Sequence, residues 1–216
     1  MHLLLRSRLS ISLEGLRTKR DIFVVGASTE GVTALQELVT GLAPDFPGCL
    51  LVVVHFPPWH RSELPAVLNR SGRLPALQAE EAQRIEAGHI YVAPPDYHLL
   101  VEQDELHLWR GPKENMHRPA INALFRSAAV SYKERVAGII LSGAQDDGAT
   151  GLWWIKHFNG VAIVQDPGTA AFPDMPLSAL DHVPVDYVMD VKAMGPLLTS
   201  LAINGRVQWT GEKSRE

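Results

Sequence analysis

Asp21-Ile-Phe-Val-Val-Gly-Ala-Ser-Thr-Glu-Gly-Val-Thr-Ala-Leu-Gln-Glu-Leu-Val-Thr40 sets the reading of the whole chain. A largely β-branched run from Ile22 to Val25 stops at Gly26, and from Val32 to Leu42 the apolar residues recur at helical spacing. A short buried strand, a glycine-bounded turn and an amphipathic helix make one α/β unit. Working outward, Leu50 to Val54, Val136 to Leu141 and Val161 to Val164 are further apolar runs bounded by Gly, Pro or Asp. Helical patterns follow at Ser62 to Asn69, Ala120 to Ser131, Gly151 to Phe158 and Val191 to Ile203. Strand then helix, repeated, predicts right-handed crossovers and a doubly wound, mostly parallel sheet flanked by helices. The rhythm breaks between residues 90 and 109. There Ile90 to Ala93, His98 to Glu102 and Glu105 to Trp109 are separated by Pro94-Pro95-Asp96 and Gln103-Asp104, which predicts an antiparallel hairpin excursion.

The chain has 216 residues, 46% of them hydrophobic and 20% charged, which suits one globular domain. Residues 21–203 read as that domain, residues 1–20 as a basic leader and residues 204–216 as a polar tail, both ends expected to be poorly ordered. Arg6, Arg8, Arg17, Lys19 and Arg20 against Glu14 give the leader a charge of +4, which leaves -8 on the remainder of a chain whose net charge is -4. An acidic body without a basic stripe argues against nucleic-acid binding. The longest aliphatic or Cys run, Cys49 to Val54, is far shorter than the roughly 20 residues that span a bilayer. A single cysteine excludes an internal disulfide framework, and the expected location is the cytoplasm.

In open α/β sheets the chemistry lies past the carboxyl ends of the strands. Three such ends carry reactive side chains: Ser28 after the first strand, His55 after the second, and Asp146-Asp147 after the Val136 strand. Serine at a strand-to-helix turn faces the unpaired N–H groups of the helix start, where an oxyanion is stabilised. It needs a base, and the base needs an acid to orient it, roles open to His55 and to Asp147, Asp146 or Asp166. Read alone, the Gly26 to Gly31 loop also suits a phosphate, and Ser28 an N-cap. The loop lacks the Lys-Ser/Thr of a Walker sequence and the three glycines of a dinucleotide fingerprint, so hydrolysis is the better reading. The order Ser, His, Asp and the Glu at position 30 also exclude the common Gly-x-Ser-x-Gly elbow.

At these residues the chain resembles the catalytic domain of the bacterial chemotaxis protein-glutamate methylesterase (CheB) family. The family's Gly-Ala-Ser-Thr-Gly-Gly is matched by Gly26-Ala-Ser-Thr-Glu-Gly31, and its His-Met-Pro-Pro by His55-Phe-Pro-Pro58. Gly88-His-Ile-Tyr-Val-Ala-Pro-Pro-Asp96, His117-Arg-Pro119, Leu141-Ser-Gly-Ala-Gln-Asp-Asp-Gly-Ala-Thr-Gly151, Gln165-Asp-Pro167 and Phe172-Pro-Asp-Met-Pro176 follow in family order. The resemblance implies hydrolysis of glutamate γ-methyl esters on the signalling helices of methyl-accepting chemoreceptors, with release of methanol, and deamidation of receptor glutamines. It implies Ser28 as nucleophile, His55 as base and Asp147 as orienting acid. Thr29 and Ala144 are then oxyanion support, His117, Arg118 and Met175 are substrate-binding candidates, and no metal or organic cofactor is called for.

Glu30, Ala144 and Gln145 depart from the family pattern, where Gly, Met and Gly are usual. They motivate an alternative: a catalytically weakened receptor-binding module of the same fold. Residues 1–20 are too few for the receiver domain that many relatives carry, so a catalytic domain standing alone is expected, controlled by a separate response regulator or kinase in trans or not at all. Cys49 reads as core, Trp153, Trp154 and Phe158 as packing at helical spacing, and His60, His89, His98, His107, His157 and His182 show no metal-ligand spacing.

Overall fold

A computed structural model of the chain describes residues 18–57, 59 and 63–205. Residues 1–17 of the leader, Pro58, His60 among the histidines read above, Arg61, Ser62 at the expected helix start, and residues 206–216 of the tail lie outside them. The strands are β1 (Ile22–Ser28), β2 (Cys49–His55), β3 (Ala76–Gln78), β4 (Gln83–Arg84), β5 (Ile90–Val92), β6 (His98–Glu102), β7 (Glu105–Trp109), β8 (Val136–Ile140), β9 (Val161–Gln165) and β10 (Tyr187–Met189). The helices are α1 (Val32–Thr40), α2 (Leu64–Ser71), α3 (Ile121–Tyr132), α4 (Ala149–His157), α5 (Asp174–His182) and α6 (Val191–Asn204).

Seven strands form one parallel sheet in the order β10-β9-β8-β1-β2-β5-β3. From β1 the chain moves outward through β2, then returns to β8 on the opposite side. The carboxyl ends of β1 and β8 therefore flank the point where the winding reverses, the place in such sheets where a crevice opens. Alternate residues of each strand face opposite layers. Phe23, Val25 and Ala27 pack with Leu35, Leu38 and Val39 of α1 and Leu197, Leu198 and Leu201 of α6, and α2 adds Leu64 and Leu68. Ile22 and Val24 face the other layer, with Leu124 and Phe125 of α3, Leu152 and Ile155 of α4 and Ala179 of α5. Every residue of β1, β2, β8 and β9 is buried, as their unbroken apolar runs require.

The antiparallel excursion is a separate three-stranded sheet, β4-β7-β6. Its β6 and β7 pair across Gln103 and Asp104, whose φ values of 51° and 65° suit a tight hairpin turn. Ile90–Val92 does not join it. Without polar alternation and buried throughout, it pairs in parallel with β2 and β3, and Pro94-Pro95 then separates it from the hairpin. Arg20, the last leader residue, donates its backbone N–H to Leu201 of α6. Cys49 is buried, which pushes its thiol pKa up to about 12, and Trp154 and Phe158 pack against the core. Among the described residues no helix is long and apolar enough to cross a membrane.

The turn after β1 rests directly on the loop after β8. Ser28 N–H donates to Ser142 O at 3.2 Å, and a Cβ on Gly31 would lie 2.3 Å from that same carbonyl. Backbone cannot yield as a side chain does. Gly31→Ala is therefore expected to destabilise the fold by about 2–3 kcal/mol, lowering the thermal midpoint by roughly 5–10 °C in a calorimetric melt.

Candidate active site

Among the described residues the buried polar side chains are Ser28, His55, His98, Asn122, Ser142, Asp147 and Gln165. All lie at the carboxyl ends of β1, β2, β8 and β9, at the start of α3 or at the start of β6. Buried polar groups persist where their hydrogen bonds are satisfied, so their partners define the construction of the site.

Asp147 is at the centre. Its Oδ2 accepts from His55 Nε2 at 2.8 Å and from the Ile121 N–H at 2.7 Å, and its Oδ1 accepts from the Asn122 N–H at 3.1 Å. A carboxylate only accepts, so His55 carries its proton on Nε2 and leaves Nδ1 as the basic nitrogen. The first turn of α3 thus supplies two of the three donors that hold the acid. Asn122 continues the network: its side-chain oxygen accepts from the N–H groups of Gly148 and Gly151, fixing the start of α4 just past Asp147. Asn122→Ala leaves both donors buried without a partner, and a loss of about 2–4 kcal/mol is expected in urea unfolding.

Asp146, the neighbouring acid, is exposed and its carboxylate among the described residues reaches only Asn115, while Asp166 closes its own turn through the Gly168 N–H. Neither approaches His55. The Thr29 hydroxyl donates to the His55 carbonyl, linking the ends of β1 and β2. The Ser28 hydroxyl donates to Oε2 of Glu30, and among the described residues no hydrogen bond joins it to His55. Ser28, His55, Thr29, Glu30 and Ala144 all line one cleft of about 350 Å³. The Ser28 N–H is bound to the Ser142 carbonyl and is unavailable to an oxyanion.

The opposite wall is the segment from Lys113 to Arg118. Asn115 and Met116, both at positive φ, form a tight turn closed by reciprocal backbone bonds between Glu114 and His117, and Arg126 of α3 grips Glu114 with two bonds of 3.0 and 2.8 Å. His98 fixes both ends of this wall: its Nε2–H donates to Pro112 O at 2.8 Å, and its Nδ1 accepts from Ala120 N at 3.2 Å. The His117 ring lies flat on His55, with centroids 3.6 Å apart and planes 4° from parallel, and its Nε2 donates to Gln145 Oε1 at 3.0 Å. Burial, then the charge of His55, pushes the His117 pKa below its ordinary value of 6.5, against the opposing pull of Gln145 and Asp147. The unfolded chain therefore takes up this proton more readily than the folded one. Stability from His117 is complete above pH 6.5 and declines as pH falls below it, through the lowered native value. Denaturant midpoints measured on either side of that pH should show the decline, reduced in His117→Gln.

The CheB methylesterase family model matches residues 23–198, most of the chain. The chain belongs to this family. A Leptospira interrogans relative is 36% identical over 189 residues, covering 87% of this chain and 98% of its own length. A Methanosarcina mazei protein named protein-glutamate methylesterase/protein-glutamine glutaminase 2 is 33% identical over 191 residues, covering 85% of this chain and 52% of that protein. The crystal structure of the Thermotoga maritima CheB methylesterase catalytic domain superposes with a TM-score of 0.80 at 30% identity, covering 84% of this chain and 98% of that one. The chain thus spans about half of the Methanosarcina protein and nearly all of the Thermotoga catalytic domain.

Two substrate-side candidates take structural positions within this CheB domain. Met175, expected at the substrate surface, is 1% exposed and packs under Gly143. Its N–H donates to the Gly143 carbonyl, so it supports the loop from below. Arg118 lines the cleft but acts largely as a strut: Nε and Nη2 bind Asp96 Oδ1, and Nη1 donates to Gly111 O at 2.6 Å. Sequence reasoning missed the exposed Met116 and Lys113, which do face the cleft. Gln145 stands at φ 71°, a conformation that favours glycine and costs other residues roughly 1–2 kcal/mol. In this chain the bond to His117 offsets part of that cost.

Proposed function

We propose that this chain is a serine-type protein-glutamate methylesterase that removes γ-methyl esters from glutamates on the signalling helices of methyl-accepting chemoreceptors, and deamidates receptor glutamines, in the cytoplasm. The observation that carries this reading is that Ser28 and His55 line one cleft of a CheB-family domain, with the buried Asp147 bonded to His55 Nε2. In the proposed reaction Ser28 Oγ attacks the ester carbonyl and its proton passes to His55 Nδ1, while Asp147 stabilises the imidazolium. The carbonyl electron pair moves onto oxygen, where the Thr29 and Ala144 backbone is the support we assign. Collapse expels the methoxy group, which leaves as methanol with the proton from His55. Water then cleaves the acyl-Ser28 ester, giving the glutamate carboxylate and restoring the hydroxyl. A glutamine substrate releases ammonia by the same steps.

Residues 21–203 form the catalytic domain in this reading, and a response regulator or kinase acting in trans is its proposed controller. The test is incubation with a methylated receptor fragment. Methanol release together with conversion of each methyl ester to the acid is expected; binding of the fragment without methanol would favour the non-catalytic module instead.

A further inference from the structure

Glu30 follows the nucleophile by two residues, in the 3-10 turn Thr29–Gly31, and its side chain reaches back to the Ser28 hydroxyl. It is exposed into the same cleft as Ser28 and His55 and forms no ion pair among the described residues. The cations along that cleft do not neutralise it: the Arg118 guanidinium is bound to Asp96 and Gly111 O, and Lys113 is exposed with no ion pair among the described residues. The bond from Ser28, and then the backbone N–H of Glu30 itself, hold its carboxyl below the usual 4.5, so it is an anion at neutral pH.

We infer that Glu30 is a charge gate on the nucleophile, engaging the Ser28 hydroxyl in the resting enzyme and repelling anions at Oγ, so that the site selects neutral esters and amides over acids. This rests on the reading of Ser28 as nucleophile. When Ser28 attacks, its proton must go to His55, so Glu30 loses a charge-assisted donor just as an oxyanion forms next to it. After deacylation the product is a carboxylate lying where that oxyanion stood. Two like charges a few ångströms apart repel even in a water-like medium. The same carboxylate therefore slows acylation and speeds clearance of the acidic product.

Titration calorimetry with two small probes tests this. Phenylboronic acid takes up Ser28 Oγ on its trigonal boron, forming a B–O bond while the hydroxyl proton moves to His55, and the boron becomes anionic. Acetate stands in for the product. Glu30→Gln is expected to bind both about tenfold more tightly than the unsubstituted protein, and Glu30→Gly to do likewise. Unchanged or weaker binding of both probes by Glu30→Gln overturns the gate. Ser28→Ala in the same titration should lose boronic acid binding; if it binds as the unsubstituted protein does, the nucleophile reading fails, a result distinct from failure of the gate.

Discussion

Ser28→Ala is expected to abolish methanol release, lowering kcat by about 10^4-fold or more, the scale seen when a serine hydrolase loses its nucleophile. That corresponds to roughly 5–6 kcal/mol of transition-state stabilisation. The fold should be indifferent to the change. Among the described residues the Ser28 hydroxyl has one partner, the exposed Glu30 carboxylate, which water can solvate once the donor is gone. The backbone N–H of residue 28 keeps its bond to Ser142, so the turn geometry survives. Steady-state methanol assays paired with a thermal melt separate the two effects. Activity within tenfold of the unsubstituted protein, with an unchanged melt, would contradict the assignment.

Asp147→Asn should damage both activity and fold. Three donors converge on the carboxylate: His55 Nε2 and the N–H groups of Ile121 and Asn122. An amide has one accepting oxygen, so in either orientation its NH2 faces at least one of these donors. If it faces His55, the imidazole must adopt the other tautomer and loses Nδ1 as base. A fall in kcat of about 10^3–10^4-fold is expected, as for the corresponding change in a Ser-His-Asp protease, with about 2–4 kcal/mol lost in stability from the unsatisfied buried donors. Asp146→Asn is the control. Its carboxylate is exposed and among the described residues is bonded only to Asn115, at 3.5 Å, and its loss should leave kcat and the melt nearly unchanged.

The contrast between these neighbours shows where the sequence stops being informative. Asp146 and Asp147 share type, loop and distance from β8, and spacing does not separate them. What does is the direction of the loop relative to α3, a tertiary fact. Likewise β1, β2, β8 and β9 are plain in the sequence because they are buried on both faces and carry unbroken apolar runs. The strands β3, β4 and β10, two or three residues long, carry too few side chains for any period to register. The helix α5 opens with Asp174-Met175-Pro176, and prolines at 173 and 176 mask its start. Met175, a substrate-binding candidate only through the family resemblance, lies instead beneath Gly143. His98 shows the same limit: nothing local marks it among nine histidines, yet it ties both ends of the cleft wall together. Glu30 is the opposite case. Its carboxylate departs in plain sight from the glycine of the motif that the sequence resembles, and its bond to Ser28 gives that departure a physical consequence.

Ser28 is proposed as a live nucleophile served by His55 and Asp147. A fluorophosphonate tests it whatever the natural substrate is, because the serine oxygen displaces fluoride from phosphorus and remains bonded there. Peptide mapping after labelling of the folded protein should place a single adduct on Ser28, absent from Ser28→Ala and strongly slowed in Asp147→Asn. An adduct on any other residue, or none on the folded protein, would contradict the account.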